Sequence, residues 1–244
     1  MKEGMSDMNK KIGVFDSGIG GTTTLKEIEK ILPNEDYIFY ADSKHNPYGS
    51  KTDEELYAIV KEIVDFLIKK DVKIIVIACN TATTKCIKKL KVDYPDMIFV
   101  GTVPAIKVAC QNDYKNTLVL ATPGTIASER THELVRDHKK DNENIILLAC
   151  EGLAHAIETY NDEEIDKILN KYYETYKYIN IDAIVLGCTH YPIIKDRIQK
   201  LFKDSVLIDG NEGVAREVKH QLEANNLLSK KKRKGKIEFM QTKK

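Results

Sequence analysis

The chain has 244 residues, 42% of them apolar and 31% charged, and its 38 basic against 37 acidic side chains leave a net charge of +1. That length holds one large or two ordinary domains, and the charge balance excludes any demand for a polyanionic partner such as nucleic acid. No apolar run approaches the roughly 20 residues of a membrane span, and the opening MKEGMSDMNKK lacks the apolar core of a signal peptide, so a cytoplasmic protein without membrane contact is expected.

Short β-branched runs alternate with amphipathic segments along the whole chain. Ile12–Phe15 reads as a strand, followed by the glycine-rich turn DSGIGGTTT (Asp16 to Thr24) and a helix over Thr23–Ile31. Glycines there let backbone amides approach an anion at a helix start, while Asp16 suits either a site or a helix cap. A strand at Tyr37–Tyr40 leads through Asp42-Ser43 to the turn NPYGSKT, and Thr52-Asp53-Glu54-Glu55 opens a helix to Lys69 with a capping-box pattern. Ile74–Ile77 forms a strand that runs straight into Cys79-Asn80-Thr81, with a helix expected over Thr83–Lys91 and a strand at Ile98–Val100. The second half repeats the alternation with strands at Thr117–Leu120, Ile145–Leu148, Ile184–Leu186 and Val206–Ile208. Helices are expected at Ser128–Asp137, Asp162–Tyr178, Ile193–Phe202 and Gly213–Ala224, and SKKKRKG (Ser229 to Gly235) reads as a solvated tail. This alternation predicts an α/β fold whose parallel sheets are covered on both faces.

The halves also resemble each other. IGVFDSG lies over LVLATPG, IFYADS over IILLAC and IFVGT over LIDGN, while Cys188 follows Cys79 by 109 residues, all at offsets of 106 to 109. Four strand ends at nearly constant offset argue for two similar α/β domains, residues 1–101 with 210–244 and residues 102–209. Ligands in open parallel sheets bind beyond the carboxyl ends of the strands. Two such edges face to face make a cleft with a cysteine on each wall.

Five cysteines, with no C-x-x-C pair and no export signal, are expected to be thiols rather than a disulfide framework or a metal site. Cys86, Cys110 and Cys150 read as small core residues, and His45, His132, His138, His155 and His220 as loop or helix-surface residues. Cys79 and Cys188 differ, because Asn, Thr and His follow them at strand ends. Two thiols across a cleft suit removal of a proton from one face of a carbon and delivery of another to the opposite face, provided a helix start or a cation keeps a thiolate accessible. A binding module for an acidic amino acid, with the cleft but no turnover, is the alternative that these residues leave open.

FDSGIGG, NPYGSKT, ACNTAT, GTVPA and LGCTHYP, in that order, resemble the glutamate racemases of bacterial cell-wall synthesis, within the aspartate/glutamate racemase superfamily. The resemblance runs from about Ile12 to about Glu217. It implies interconversion of L- and D-glutamate, supplying D-glutamate for peptidoglycan, by two bases without pyridoxal phosphate or any other cofactor or metal, in a homodimer. Cys79 and Cys188 would be the catalytic thiols, Asp16 the acid beside the first and His190 the group assisting the second. Ser17, Tyr48, Gly49, Asn80, Thr81 and Thr189, with Asp16 and His190, match positions that hold the substrate. In ACEGLAHAIE, Glu151 and His155 stand where the family commonly has prolines, and counting eight residues on from Cys150 carries the family's glutamate to Glu158. The ending KIEFMQTKK stops where members usually continue to a further helix.

Overall fold

In a computed structural model that describes residues 7–242, the β-branched runs form strands β1 (Lys11–Asp16), β2 (Tyr37–Ala41), β3 (Val72–Ile77), β4 (Phe99–Gly101), β5 (Asn116–Ala121), β6 (Asn144–Ala149), β7 (Ala183–Leu186), β8 (Val206–Ile208) and β9 (Ile237–Gln241). They pair in parallel in two sheets, ordered β4-β3-β1-β2-β9 and β8-β7-β5-β6. Matching β1 to β5, β2 to β6, β3 to β7 and β4 to β8 gives the same order in both sheets, the duplication that the sequence offsets predicted.

The helices are α1 (Thr22–Ile31), α2 (Asp53–Lys69), α3 (Asn80–Asp93), α4 (Ile106–Gln111), α5 (Pro123–Ile126), α6 (Glu129–His138), α7 (Leu153–Glu158), α8 (Asp162–Tyr176), α9 (Lys195–Leu201) and α10 (Asn211–Ala224). Ile12 and Val14 of β1 pack with Leu25, Ile28, Val214 and Val218 on one face of the first sheet, while Phe15 packs with Leu56, Val60, Leu67, Cys86 and Leu90 on the other. The second sheet is covered by α7, α8 and α9 on one side and by α4 and α6 on the other. Both sheets are thus buried on two faces, which is why their strands read as continuous apolar runs. The capping box at α2 forms as expected: Glu55 N donates to Thr52 Oγ1 at 3.2 Å and Thr52 N donates to Glu55 Oε2 at 3.0 Å.

Three differences from the sequence reading bear on the site. Helix α3 begins at Asn80, three residues earlier than expected, so Cys79 is its N-cap residue. Short helices α4, α5 and α7 fill connections that carry too few residues to show a period. The carboxyl end is not a bare tail: Arg233 and Lys231 pair with Asp36, and β9 then adds a fifth strand beside β2. Among the described residues no helix is long and apolar enough to cross a membrane.

Candidate active site

The carboxyl ends of the two sheets face each other across a cavity of about 430 Å³. Cys79, at the end of β3, and Cys188, just beyond β7, both border it, as do Ser17, Tyr48, Gly49, Asn80, Thr81 and His190. Asp16, Glu158 and Thr189, also expected at the site, stand behind the wall and hold its residues. Asp16 Oδ2 accepts from the Gly18 and Gly21 amides at 3.2 and 3.0 Å, and Asp16 Oδ1 accepts from the Thr189 hydroxyl at 3.1 Å. Asp16 thus tethers the turn that precedes α1, but the N-cap of α1 is Gly21 with no side-chain cap bond, so the helix-cap reading of Asp16 does not hold.

His190 links the second cysteine to Glu158. Its Nδ1 lies 3.8 Å from Cys188 Sγ and its Nε2 lies 2.7 Å from Glu158 Oε2. That carboxylate also accepts from the Ile19 amide at 2.9 Å and the Ser43 hydroxyl at 2.7 Å, both across the cleft. Gly18 and Gly20 are required by this approach rather than by their dihedrals. A Cβ on Gly18 would run into the Glu158 carboxylate, and one on Gly20 would lie 2.6 Å from His190 Nδ1.

Electrostatics separate the two thiols. Burial pushes the Cys79 thiol well up and the neighbouring Asp16 carboxylate adds to this, outweighing the Ala82 amide and the Ser17 hydroxyl, which lies 3.7 Å from the sulfur. The expected lowering at the start of α3 is thus overridden by burial. Burial also raises the Asp16 carboxyl, against the pull of His190 and of its hydrogen-bond donors. For His190, burial alone would favour the neutral ring, but the Cys188 sulfur and the Glu158 carboxylate lift it to about 10. Burial would likewise raise Glu158, yet His190, Ser43 and the Ile19 amide hold it below its ordinary value. These surroundings favour the protonated ring at His190 and the protonated thiol at Cys79.

The structure adds residues that the sequence reading did not assign. Thr122 borders the cavity and meets Thr81 at 2.8 Å across the cleft, and Asn46, Cys150, Glu151 and His155 complete the rim and floor. Two of these were accessible through the repeat, since Thr122 occupies the position of Asp16 and Cys150 that of Ser43 in the aligned strand ends. His155, read as a helix-surface residue, is exposed but faces the cavity mouth. Asn46 Oδ1 and Asn80 Oδ1 are buried without hydrogen-bond partners, so this wall presents acceptors to whatever enters.

Paired α/β domains thus meet at their strand ends, with a cysteine from each at one cavity. The chain belongs to the Asp/Glu/Hydantoin racemase family, whose model matches residues 12–218. It is 42% identical over 235 residues to a glutamate racemase of Clostridium perfringens, covering 95% of this chain and 90% of that relative. Among solved structures, it superposes on the Francisella tularensis glutamate racemase in complex with D-glutamate with a TM-score of 0.84 and 31% identity, over 97% of this chain and 89% of that one. The Escherichia coli glutamate racemase, in complex with L-glutamate and the activator UDP-MurNAc-Ala, gives a TM-score of 0.77 and 29% identity over 88% and 83% of the two chains.

Proposed function

We propose that this chain interconverts L- and D-glutamate by passing the α-proton between Cys79 and Cys188, and so supplies D-glutamate for peptidoglycan. The observation that carries the reading is the pair of buried cysteines at one cavity, each from the carboxyl edge of a different sheet. The likeness to racemases solved with D-glutamate and with L-glutamate supports the substrate.

In this reading one sulfur, as thiolate, takes the α-proton, and the charge left on carbon spreads into the α-carboxylate. The other sulfur, as thiol, gives its proton to the opposite face, so that one negative charge crosses from sulfur to sulfur and nothing is oxidised. His190 stores a proton against Cys188, with Glu158 fixing the ring, and Asp16 serves the Cys79 side. The free amides at the start of α3, with Ser17, Gly49 and Thr81, suit carboxylates. The unpartnered oxygens of Asn46 and Asn80 suit an ammonium. Thr189 acts from behind, its hydroxyl spent on Asp16, while Tyr48 borders the cavity with its hydroxyl turned away to Asp42 at 2.7 Å. We assign residues 1–101 with 210–244 to one domain and 102–209 to the other, because α10 and β9 pack on the first sheet; residues 1–6 and 243–244 of that assignment lie outside the described residues. The family likeness supports a homodimer, to be checked by sedimentation.

Incubation with L-glutamate in D2O, with no added cofactor, tests the activity. The expected result is loss of optical rotation with α-deuterium in the newly formed enantiomer. Turnover of aspartate alone would move the substrate, and silence with both would leave an amino-acid-binding module.

A further inference from the structure

The hydrogen bonds that begin at Cys188 do not end at Glu158. Ser43 Oγ, buried at the end of β2, donates to Glu158 Oε1 at 2.7 Å and accepts from Gln241 Nε2 at 3.0 Å. A hydroxyl carries a single hydrogen, and an oxygen that already accepts from Gln241 turns that hydrogen toward the carboxylate. Gln241 is the last residue of β9, the edge strand beside β2, and its backbone is held there by the ladder whatever its side chain does. We propose that Gln241, acting through Ser43, is a positioning residue that fixes the Glu158 carboxylate on His190, and hence governs proton transfer at Cys188 but not at Cys79.

The hydrogen bonds that lead to the edge strand meet only one of the two sulfurs. Cys79 contacts Ser17, whose hydroxyl has no bond to Ser43 or Gln241. Cys188 reaches the edge strand through His190, Glu158 and Ser43, each step a hydrogen bond or a close sulfur contact. Without the Gln241 donor the Ser43 hydroxyl is free to turn away, and without Ser43 the carboxylate keeps only the Ile19 amide and the ring it is meant to hold. The proposal rests on the racemase reading above.

The test compares Gln241→Ala, Ser43→Ala and Ser43→Thr with a control on the same strand, Glu238→Ala, which removes the ion pair to Lys11 but touches nothing at the site. Gln241→Ala and Ser43→Ala are expected to lower kcat about fivefold, the worth of about one hydrogen bond, with KM within about twofold of the original. Ser43→Thr keeps the hydroxyl and the activity, and Glu238→Ala keeps kcat. With α-deuterated substrates the isotope effect should grow for the enantiomer whose proton Cys188 removes and shrink for the other, because only one transfer has slowed. The hydrogen-bonded His190 Nε2 proton, followed by NMR, gives a readout without turnover: it shifts upfield in Gln241→Ala and Ser43→Ala and stays in place in Glu238→Ala. Equal losses of kcat in Gln241→Ala and Glu238→Ala, isotope effects that move together for both enantiomers, or an unmoved His190 proton would each overturn the proposal. An original protein silent on glutamate would count against the substrate reading alone, and the NMR signal would then decide the relay.

Discussion

The two cysteines at this site face different surroundings. Cys79 sits under burial and the Asp16 carboxylate, and Cys188 sits 3.8 Å from a ring lifted to about 10. Cys79→Ser and Cys188→Ser should each lower racemisation by at least about 10²-fold, since a serine hydroxyl is too weak an acid to exchange the α-proton. The assay is the D2O incubation, and full activity in either variant would remove the two-thiol mechanism. The Glu158–His190 pair makes a second residue-scale prediction. His190 is raised from 6.5 to about 10 in the folded protein, so its stabilising contribution is complete below pH 6.5 and is lost as pH rises through about 10. Glu158 is lowered from 4.5, so its contribution is present above that pH and is lost as pH falls through its folded value. Denaturation midpoints of the original protein and Glu158→Gln should therefore converge between pH 6.5 and 10. A gap that stays constant over that window would show that the pair does not titrate as a unit.

At the scale of elements, eight strands were legible: β1, β2, β3, β5 and β7 are buried on both faces and so apolar throughout, and the more exposed β6 and β8 and the short β4 keep an apolar run. The ninth was not. Strand β9 reads Ile-Glu-Phe-Met-Gln, half exposed along its length, and is anchored by Lys231 and Arg233 on Asp36, a contact no local pattern announces. The site divided in the same way. Cys79, Cys188, Asp16 and His190 stand at strand ends where polar residues interrupt apolar runs, whereas Ser43 meets Glu158 across 115 residues of chain and Gln241 across 198. Glu158 itself was reached by counting from Cys150 rather than by any chemistry in its neighbours. The turn after β1 gives the element-scale prediction. In Gly20→Ala the new Cβ would lie 2.6 Å from His190 Nδ1, 2.7 Å from Thr189 Oγ1 and 2.8 Å from the His190 backbone nitrogen, so the turn and the second domain must part. A cost of roughly 1–3 kcal/mol is expected from such overpacking. Thermal unfolding would register it together with a fall in kcat, and an unshifted midpoint with full activity would show that the turn gives way freely.

For the whole molecule, the site exists only where the two domains meet, and several hydrogen bonds that join them lie at its edge: Thr189 to Asp16, Ile19 and Ser43 to Glu158, and Thr81 to Thr122 and Thr125. The cavity of about 430 Å³ has its mouth between the two domains, so glutamate held there touches both, and their approach and its binding are coupled. Thr81→Val tests that coupling with little disturbance elsewhere. Thr122 and Thr125 keep each other as partners at 3.0 Å, so no buried hydroxyl is orphaned and the loss in global stability should stay near or below about 1 kcal/mol. The two domains nevertheless lose a bond pair that joins them across the cleft, and if they part more often the apparent affinity for glutamate falls by the fraction of molecules in which they are apart. Measured by calorimetry in a Cys188→Ser background, where turnover does not interfere, the dissociation constant should rise at least about fivefold for the two lost hydrogen bonds while the unfolding midpoint barely moves. A midpoint that falls in step with affinity would mean that the threonines hold the fold rather than the cleft, and an unchanged affinity would mean that substrate alone draws the domains together.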